Sequence, residues 1–230
     1  MKKEFTALEK IIGLKFKNKE LLEQAFVHRS YLNEHPAFEL DHNERLEFLG
    51  DAVLELVVTE NLYLNYPNPE GDLTNWRASL VNAKTLSQIA STLSMEECLY
   101  LSKGETKDTG KARQYILANA MESLIGAIYL DRGWEGAKKF IEKFVLSKLP
   151  EILEKKLYLD PKSSFQELAQ EKAGVTPTYK VLSEAGPDHA KQFEIGIYLN
   201  KDLIATGTGL SKQEAQEEAA RNALEAKQWD

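Results

Sequence analysis

The sequence has 230 residues, of which 43% are hydrophobic and 28% are charged, an ordinary balance for one large globular domain or two modest ones. No apolar run approaches the roughly 20 residues of a membrane helix, and the opening MKKEFTALEK lacks the apolar core of a signal peptide, so we expect no membrane partner and a cytoplasmic location. The net charge of −7 argues against a protein that binds nucleic acid through an overall positive charge. The single cysteine, Cys98, excludes an intrachain disulfide.

The first two-thirds of the chain carry apolar residues at helical spacing, and few stretches there alternate like strands. We predict a long helix from about residue 42 to 64, which Pro67 and Pro69 prevent from continuing. Further helices are predicted near 72–83, 84–93, 112–130 and 134–154. These elements predict an all-helical domain over residues 1–154.

The pattern changes after a predicted linker at residues 155–159. Asp160 and Pro161 have the spacing of a helix N-cap and a first-turn proline. Three short runs then alternate or are bounded by turn residues, which predicts strands: TYKVLSE, KQFEIGIYL and DLIATGTGL. An alanine-rich helix from Ser211 follows, with Ser211 and Glu214 spaced as a capping box. The order predicts a small α+β domain, α-β-β-β-α, over residues 160–228.

One segment of the long helix, DHNERLEFLGDAVLEL, places acidic residues on one face. At 100° per residue, Glu44, Glu47 and Asp51 share a side, opposite an apolar face. Glu47 and Asp51 are separated by about 6 Å along the axis, a spacing at which two carboxylates can hold one hard cation such as Mg²⁺. This spacing therefore makes the acidic face a candidate metal site.

Two simpler interpretations also fit this segment. Asp41 and Glu44 have capping-box spacing, and a stripe of charge on a helix is often only its solvated face. Glu55 also falls near the acidic face, so the pattern does not show where a site would end.

Longer motifs carry a more specific signal than the spacing does. The segment HNERLEFLGDAVLELVV closely resembles the signature of ribonuclease III, and EGDLTNWRASLV and ILANAMESLIGAIYLD resemble later motifs of that family. The resemblance covers residues 5–228. It implies a helical nuclease domain followed by a double-stranded-RNA-binding domain, in a homodimer with one cleavage site per subunit.

The resemblance also implies a metal site. Glu47 and Asp51 match the metal-binding acids of the signature, and Glu122 matches the later metal-binding glutamate. Asn119 stands where many family members have aspartate. An amide oxygen can coordinate a hard cation, but it brings no charge to the site. The expected cofactor is Mg²⁺, with Mn²⁺ as a substitute.

Further roles follow from the same match. The implied catalytic residues are Asp51, Glu122, Glu44 and Glu70. Phe48 is implied in the dimer contact, although an ordinary core aromatic is the alternative. His28 is interpreted as a structural hydrogen-bonding residue. The basic loop at residues 102–114 is either a flexible polar loop or a phosphate clamp beside the site.

The implied reaction is metal-assisted hydrolysis of double-stranded RNA, leaving 5′-phosphate and 3′-hydroxyl ends with short 3′ overhangs, in the processing of ribosomal precursors and other structured RNAs. Because Asn119 lacks a charge, the alternative is a dimeric RNA-binding scaffold that does not cut.

The C-terminal domain is expected to read the shape of the duplex through 2′-hydroxyls and phosphates. Its first helix would offer polar side chains to a minor groove, His189 would enter a second one, and Lys212 would meet phosphate at the start of the last helix. The polar residues of the first helix are Ser163, Gln166, Glu167 and Gln170. Many family members have a second lysine at position 213, but this chain has Gln213, which predicts weaker, salt-sensitive binding.

Overall fold

The computed structural model describes residues 3–107, 109–186 and 191–229. The chain divides into two units, Met1–Tyr158 and Leu159–Asp230. Tyr158, which we placed in the linker, packs edge-on against Trp76 at 6.0 Å and so belongs with the first unit. None of the helices in the described ranges is both long enough and apolar enough to cross a membrane.

The first unit is helical, as predicted. Its α-helices are α1 (Thr6–Ile12), α2 (Lys19–Gln24), α3 (Arg29–Glu34), α4 (Glu44–Asn65), α5 (Glu70–Val81), α6 (Ala83–Thr92), α7 (Lys103–Lys107), α8 (Lys111–Phe144) and α9 (Leu149–Glu154). Short 3₁₀ turns occur at Met95–Cys98 and Leu146–Lys148. Cys98 is buried in the core.

The centre of this unit is the crossing of α4 and α8. A Cβ added to Gly50 on α4 would lie 1.8 Å from the carbonyl oxygen of Glu122 on α8. A Cβ added to Gly126 on α8 would lie 2.2 Å from the carbonyl oxygen of Leu46 on α4. The two backbones therefore touch, and only glycine allows the helices to come so close.

The predicted helix over 134–154 is not continuous, because it is interrupted at residues 145–148. Helix α8 ends at Phe144, and α9 begins a new turn with Pro150 in its first two positions. Proline has no N–H to donate, so it is tolerated at a helix start but not in the interior. The predicted break near residue 132 is confirmed, because Gly133 leaves the helical region at φ 70°.

The second unit has the predicted α-β-β-β-α order. It consists of α10 (Pro161–Ala173), β1 (Thr178–Ala185), β2 (Gln192–Leu199), β3 (Asp202–Gly209) and α11 (Lys212–Lys227). The strands form an antiparallel sheet in the order β1-β2-β3. Ile195, Ile197 and Leu199 occupy alternate positions of β2 and are buried.

Capping residues explain where the two helices of this unit begin. The Asp160 side chain accepts hydrogen bonds from the backbone N–H groups of Lys162 and Ser163, which confirms the predicted N-cap. Ser211 caps α11 by accepting from the Glu214 N–H. Among the hydrogen bonds of the described residues, the Glu214 carboxylate accepts from the Leu210 N–H and not from the Ser211 N–H, so the predicted capping box is half formed there.

Candidate active site

The four candidate metal-site residues lie beside the crossing of α4 and α8. Glu47 and Asp51 precede and follow Gly50 on α4, while Asn119 and Glu122 lie one turn apart on α8. Asp51 is exposed, and the other three side chains are partly buried. The helix crossing thus brings residues about 70 positions apart in the sequence into one acidic cluster.

The electrostatics show that these carboxyl groups influence one another. Burial, followed by the negative charges of Asp51 and Glu47, raises the pKa of Glu122 to about 8. Burial, followed by the charges of Glu44 and Asp51, also raises the pKa of Glu47, and a hydrogen bond from Asn119 partly opposes that rise. Deprotonating the whole cluster is therefore costly without a nearby positive charge.

The donor set of this cluster fits a hard divalent cation. It offers carboxylate and amide oxygens, the ligands such cations prefer, and a cation would relieve the mutual repulsion of the acids. In the described ranges, no lysine, arginine or histidine forms an ion pair with Glu47, Asp51 or Glu122. The same residues contain no group of three His, Cys, Asp or Glu side chains arranged as a finished metal site, so the side chains would have to converge on an ion.

Glu44 has a different environment from the other acids. Its exposed carboxylate lies 3.3 Å from the Arg29 guanidinium and 3.7 Å from Nδ1 of His42. Neither neighbour was predicted from the sequence. Arg29 lies on a separate helix, α3, and no sequence spacing links that helix to α4. The capping box of Asp41 and Glu44 was wrong: α4 begins at Glu44, with Asn43 as N-cap and no side-chain cap.

Glu70, which we expected beside the cleavage site, lies elsewhere within the chain. It borders a pocket of about 660 Å³ that is also lined by Thr59, Tyr63 and Arg77, and it accepts a hydrogen bond from Thr74 at 2.8 Å. Thr59 and Tyr63 lie two to three turns beyond Asp51 on α4, roughly 12–18 Å along the axis. Glu70 is therefore not part of the acidic cluster of its own chain.

Phe48 is exposed, whereas His28 is a partly buried capping residue. Phe48 is 82% exposed, so the interpretation as a core aromatic was wrong. His28 caps α3, where its Nδ1 accepts from the Ser30 N–H and lies 2.8 Å from the Ser30 hydroxyl. Burial lowers the pKa of His28, consistent with a structural role.

Part of the basic loop at residues 102–114 is regular structure. Lys103 to Lys107 form the short helix α7, whose first N–H donates to the Glu34 carboxylate, and Lys111 already begins α8. The prediction of a loop was therefore wrong for the residues that lie in α7 and α8.

The candidate RNA-binding residues of the second unit lie on its surface. Ser163, Gln166, Glu167 and Gln170 are exposed on α10, although the Ser163 hydroxyl also donates to Asp160 at 2.7 Å. Lys212 is exposed at the start of α11 and pairs with Glu184 at 3.2 Å. His189 lies outside the described residues.

Both units of the chain match known protein families. The Ribonuclease-III-like family matches residues 18–149, and the double-stranded RNA binding motif family matches residues 161–227. Ribonuclease 3 from Carboxydothermus hydrogenoformans is 47% identical over 226 residues, covering 97% of this chain and 96% of that protein. Ribonuclease 3 from Streptococcus equi subsp. zooepidemicus is 41% identical and covers 97% of each chain.

A solved structure agrees with these matches. The nuclease domain of ribonuclease III from Campylobacter jejuni, described with structural flexibility in a region involved in dimer formation, is 39% identical with a TM-score of 0.58. The match covers 64% of this chain and 99% of that domain. Two domain matches in the family's order and relatives over nearly the full length lead to one conclusion: the chain belongs to the ribonuclease III family of double-strand-specific endoribonucleases, whose members in general require a divalent metal.

Proposed function

We propose that this chain hydrolyses phosphodiester bonds of double-stranded RNA with Mg²⁺ held by Glu47, Asp51, Asn119 and Glu122, leaving 5′-phosphate and 3′-hydroxyl ends with short 3′ overhangs. The observation that carries the proposal is the set of mutually repelling carboxyl groups at the α4–α8 crossing, of which Glu47 and Glu122 are partly buried. When bound, the cation would activate water and neutralise charge on the phosphate.

Residues of the chain have distinct roles around the cation. Glu122 and Glu47 supply negative charge from a half-buried position, where electrostatic interactions are stronger than in bulk water. Asn119 orients the Glu47 carboxylate through its hydrogen bond. Glu44, paired with Arg29, borders the cluster, and its charge adds to the repulsion on Glu47.

A cleavage assay on a long RNA duplex tests this function against the non-cleaving scaffold. We expect duplex to be cut with Mg²⁺, to stay intact with EDTA, and to be cut again when Mg²⁺ is restored in excess. A single strand of the same sequence is the matched control and should persist. A gel shift of the duplex without any Mg²⁺-dependent product would instead favour the scaffold.

We also propose a homodimer built on the exposed face of α4. Phe48, Leu56 and Tyr63 are 82%, 58% and 77% exposed and fall within about 80° of one another around the helix. Leu56 lies midway between the other two. A two-fold axis near Leu56 would therefore set Phe48 of one chain against the Tyr63 side of its partner. The pocket bordered by Tyr63 and Glu70 on one chain would receive the Phe48 side chain of the other chain. This packing would bring Glu70 towards the acidic cluster of the other chain.

Replacing Phe48 by Ala should weaken this dimer at least tenfold, because a large aromatic anchor would be lost from the interface. Analytical ultracentrifugation over a range of concentrations measures the change. Tyr115→Ala removes another exposed aromatic, on α8, and should leave the association unchanged. Equal effects of the two variants would contradict an α4 interface.

For the second unit, we propose that α10, His189 and Lys212 contact duplex RNA by its shape and phosphates. The exposure of the α10 polar side chains supports this proposal. Processing of ribosomal precursors and other structured RNAs in the cytoplasm is the corresponding biological proposal.

A further inference from the structure

One carboxylate in the second unit holds two lysines at once. Oε1 of Glu184, near the end of β1, lies 3.2 Å from Nζ of Lys212, and Oε2 lies 3.3 Å from Nζ of Lys191. The Lys212 ammonium also lies 5.5 Å from the centre of the Phe193 ring. Hydrogen bonds from the two lysines hold the pKa of Glu184 below its usual range. We call Glu184, Lys191 and Lys212 the lysine clamp.

The geometry of the clamp is also one that would suit a phosphate. Two ammonium groups that each meet one oxygen of a carboxylate could meet two oxygens of a phosphodiester in the same way. The carboxylate carries the same unit charge as one backbone phosphate. An RNA strand arriving at Lys212 would therefore compete with Glu184 for the same donors.

The second unit has more acidic than basic side chains, so the loss of a lysine to Glu184 would affect its affinity for RNA. Residues 160–230 contain eight basic and twelve acidic side chains, so the unit has few cations for duplex RNA. A single exposed ion pair is usually weak. Here one acid is paired with two of the eight basic side chains, and one of the two is Lys212.

We propose that Glu184 is an affinity-determining residue of the RNA-binding surface: in the free chain it occupies the place of an RNA phosphate, and duplex must displace it to bind. The inference rests on the proposed contact of Lys212 with RNA. It predicts that removing this carboxylate strengthens binding, whereas a carboxylate that merely positions the lysines would weaken binding when removed.

The test uses the full-length chain carrying Glu122→Gln, so that bound duplex is not cut, and a duplex of about 20 base pairs. Adding Glu184→Gln should tighten binding about threefold to tenfold at low salt and steepen the dependence of affinity on salt, because Lys212, released from Glu184, would neutralise phosphate charge instead. The matched control is Glu225→Gln, which removes the same charge from an exposed position on α11 for which the described residues contain no ion pair.

A Lys212→Gln variant separates failure of this inference from failure of the RNA contact. Weaker binding by Lys212→Gln together with tighter binding by Glu184→Gln, beyond the effect of Glu225→Gln, supports the competition. If Lys212→Gln weakens binding and Glu184→Gln does not strengthen it, the competition is overturned and the RNA contact stands. If Lys212→Gln does not weaken binding, the proposed contact fails and the competition fails with it.

Discussion

Glu122→Gln is expected to slow duplex cleavage at least about 100-fold while leaving duplex binding within about threefold. The substitution keeps the shape of the side chain but removes a charge from the centre of the acidic cluster. Single-turnover cleavage at limiting Mg²⁺, compared with a binding titration in EDTA, separates the two effects. Glu135→Gln, an exposed acid farther along α8, is the control and should cut normally. Near-normal rates in Glu122→Gln would remove Glu122 from the catalytic residues.

The same variant should be more stable than the parent chain at high pH. The pKa of Glu122 is about 8 in the folded chain and near its ordinary value of 4.5 when unfolded. Stability from a raised pKa is fully present below about 4.5 and is lost as the pH rises through 8. Without metal, Glu122→Gln should therefore gain on the order of 1–2 kcal/mol of unfolding free energy at pH 9, and the gain should vanish near pH 4. Thermal melts in EDTA across this range measure it.

Gly50→Ala is expected to cost about 3–5 kcal/mol of unfolding free energy, or to prevent folding of the first unit. The new methyl group would lie 1.8 Å from the carbonyl oxygen of Glu122 and 2.8 Å from the backbone nitrogen of Gly126. Both are backbone atoms, so neither can rotate away, and the two helices would have to separate. Cleavage should be lost as well, because the separation would pull Glu47 and Asp51 away from Glu122.

Gly71→Ala provides the matched control for this prediction. Gly71 lies in α5, and a Cβ there meets nothing within 4 Å. Alanine favours helix by up to about 1 kcal/mol over glycine, so the control should be neutral or slightly stabilised. Urea unfolding followed by circular dichroism compares the two variants. If Gly50→Ala unfolds at the same urea concentration as Gly71→Ala, the backbone contact between α4 and α8 is not as close as described.

Local patterns in the sequence determined most of the secondary structure. The alternation of Ile195, Ile197 and Leu199 and the caps at Asp160 and Ser211 depend only on backbone geometry and on residues a few positions apart. Where a local signal was overlooked, as at Pro150, one helix was predicted where the structure has two. The residue types of the acidic cluster could also be found, because motifs of 12 to 17 residues are specific.

Only the tertiary structure decided how the acids behave. The raised pKa of Glu122 depends on burial and on charges from α4, about 70 residues away, and Gly50 sets that approach. The pairing of Glu44 with Arg29, the distance of Glu70 from the cluster and the two lysines held by Glu184 likewise depend on contacts between separate elements. Helical and strand periodicity indicates which face of an element is polar, but packing alone sets what that face meets and how much water remains there.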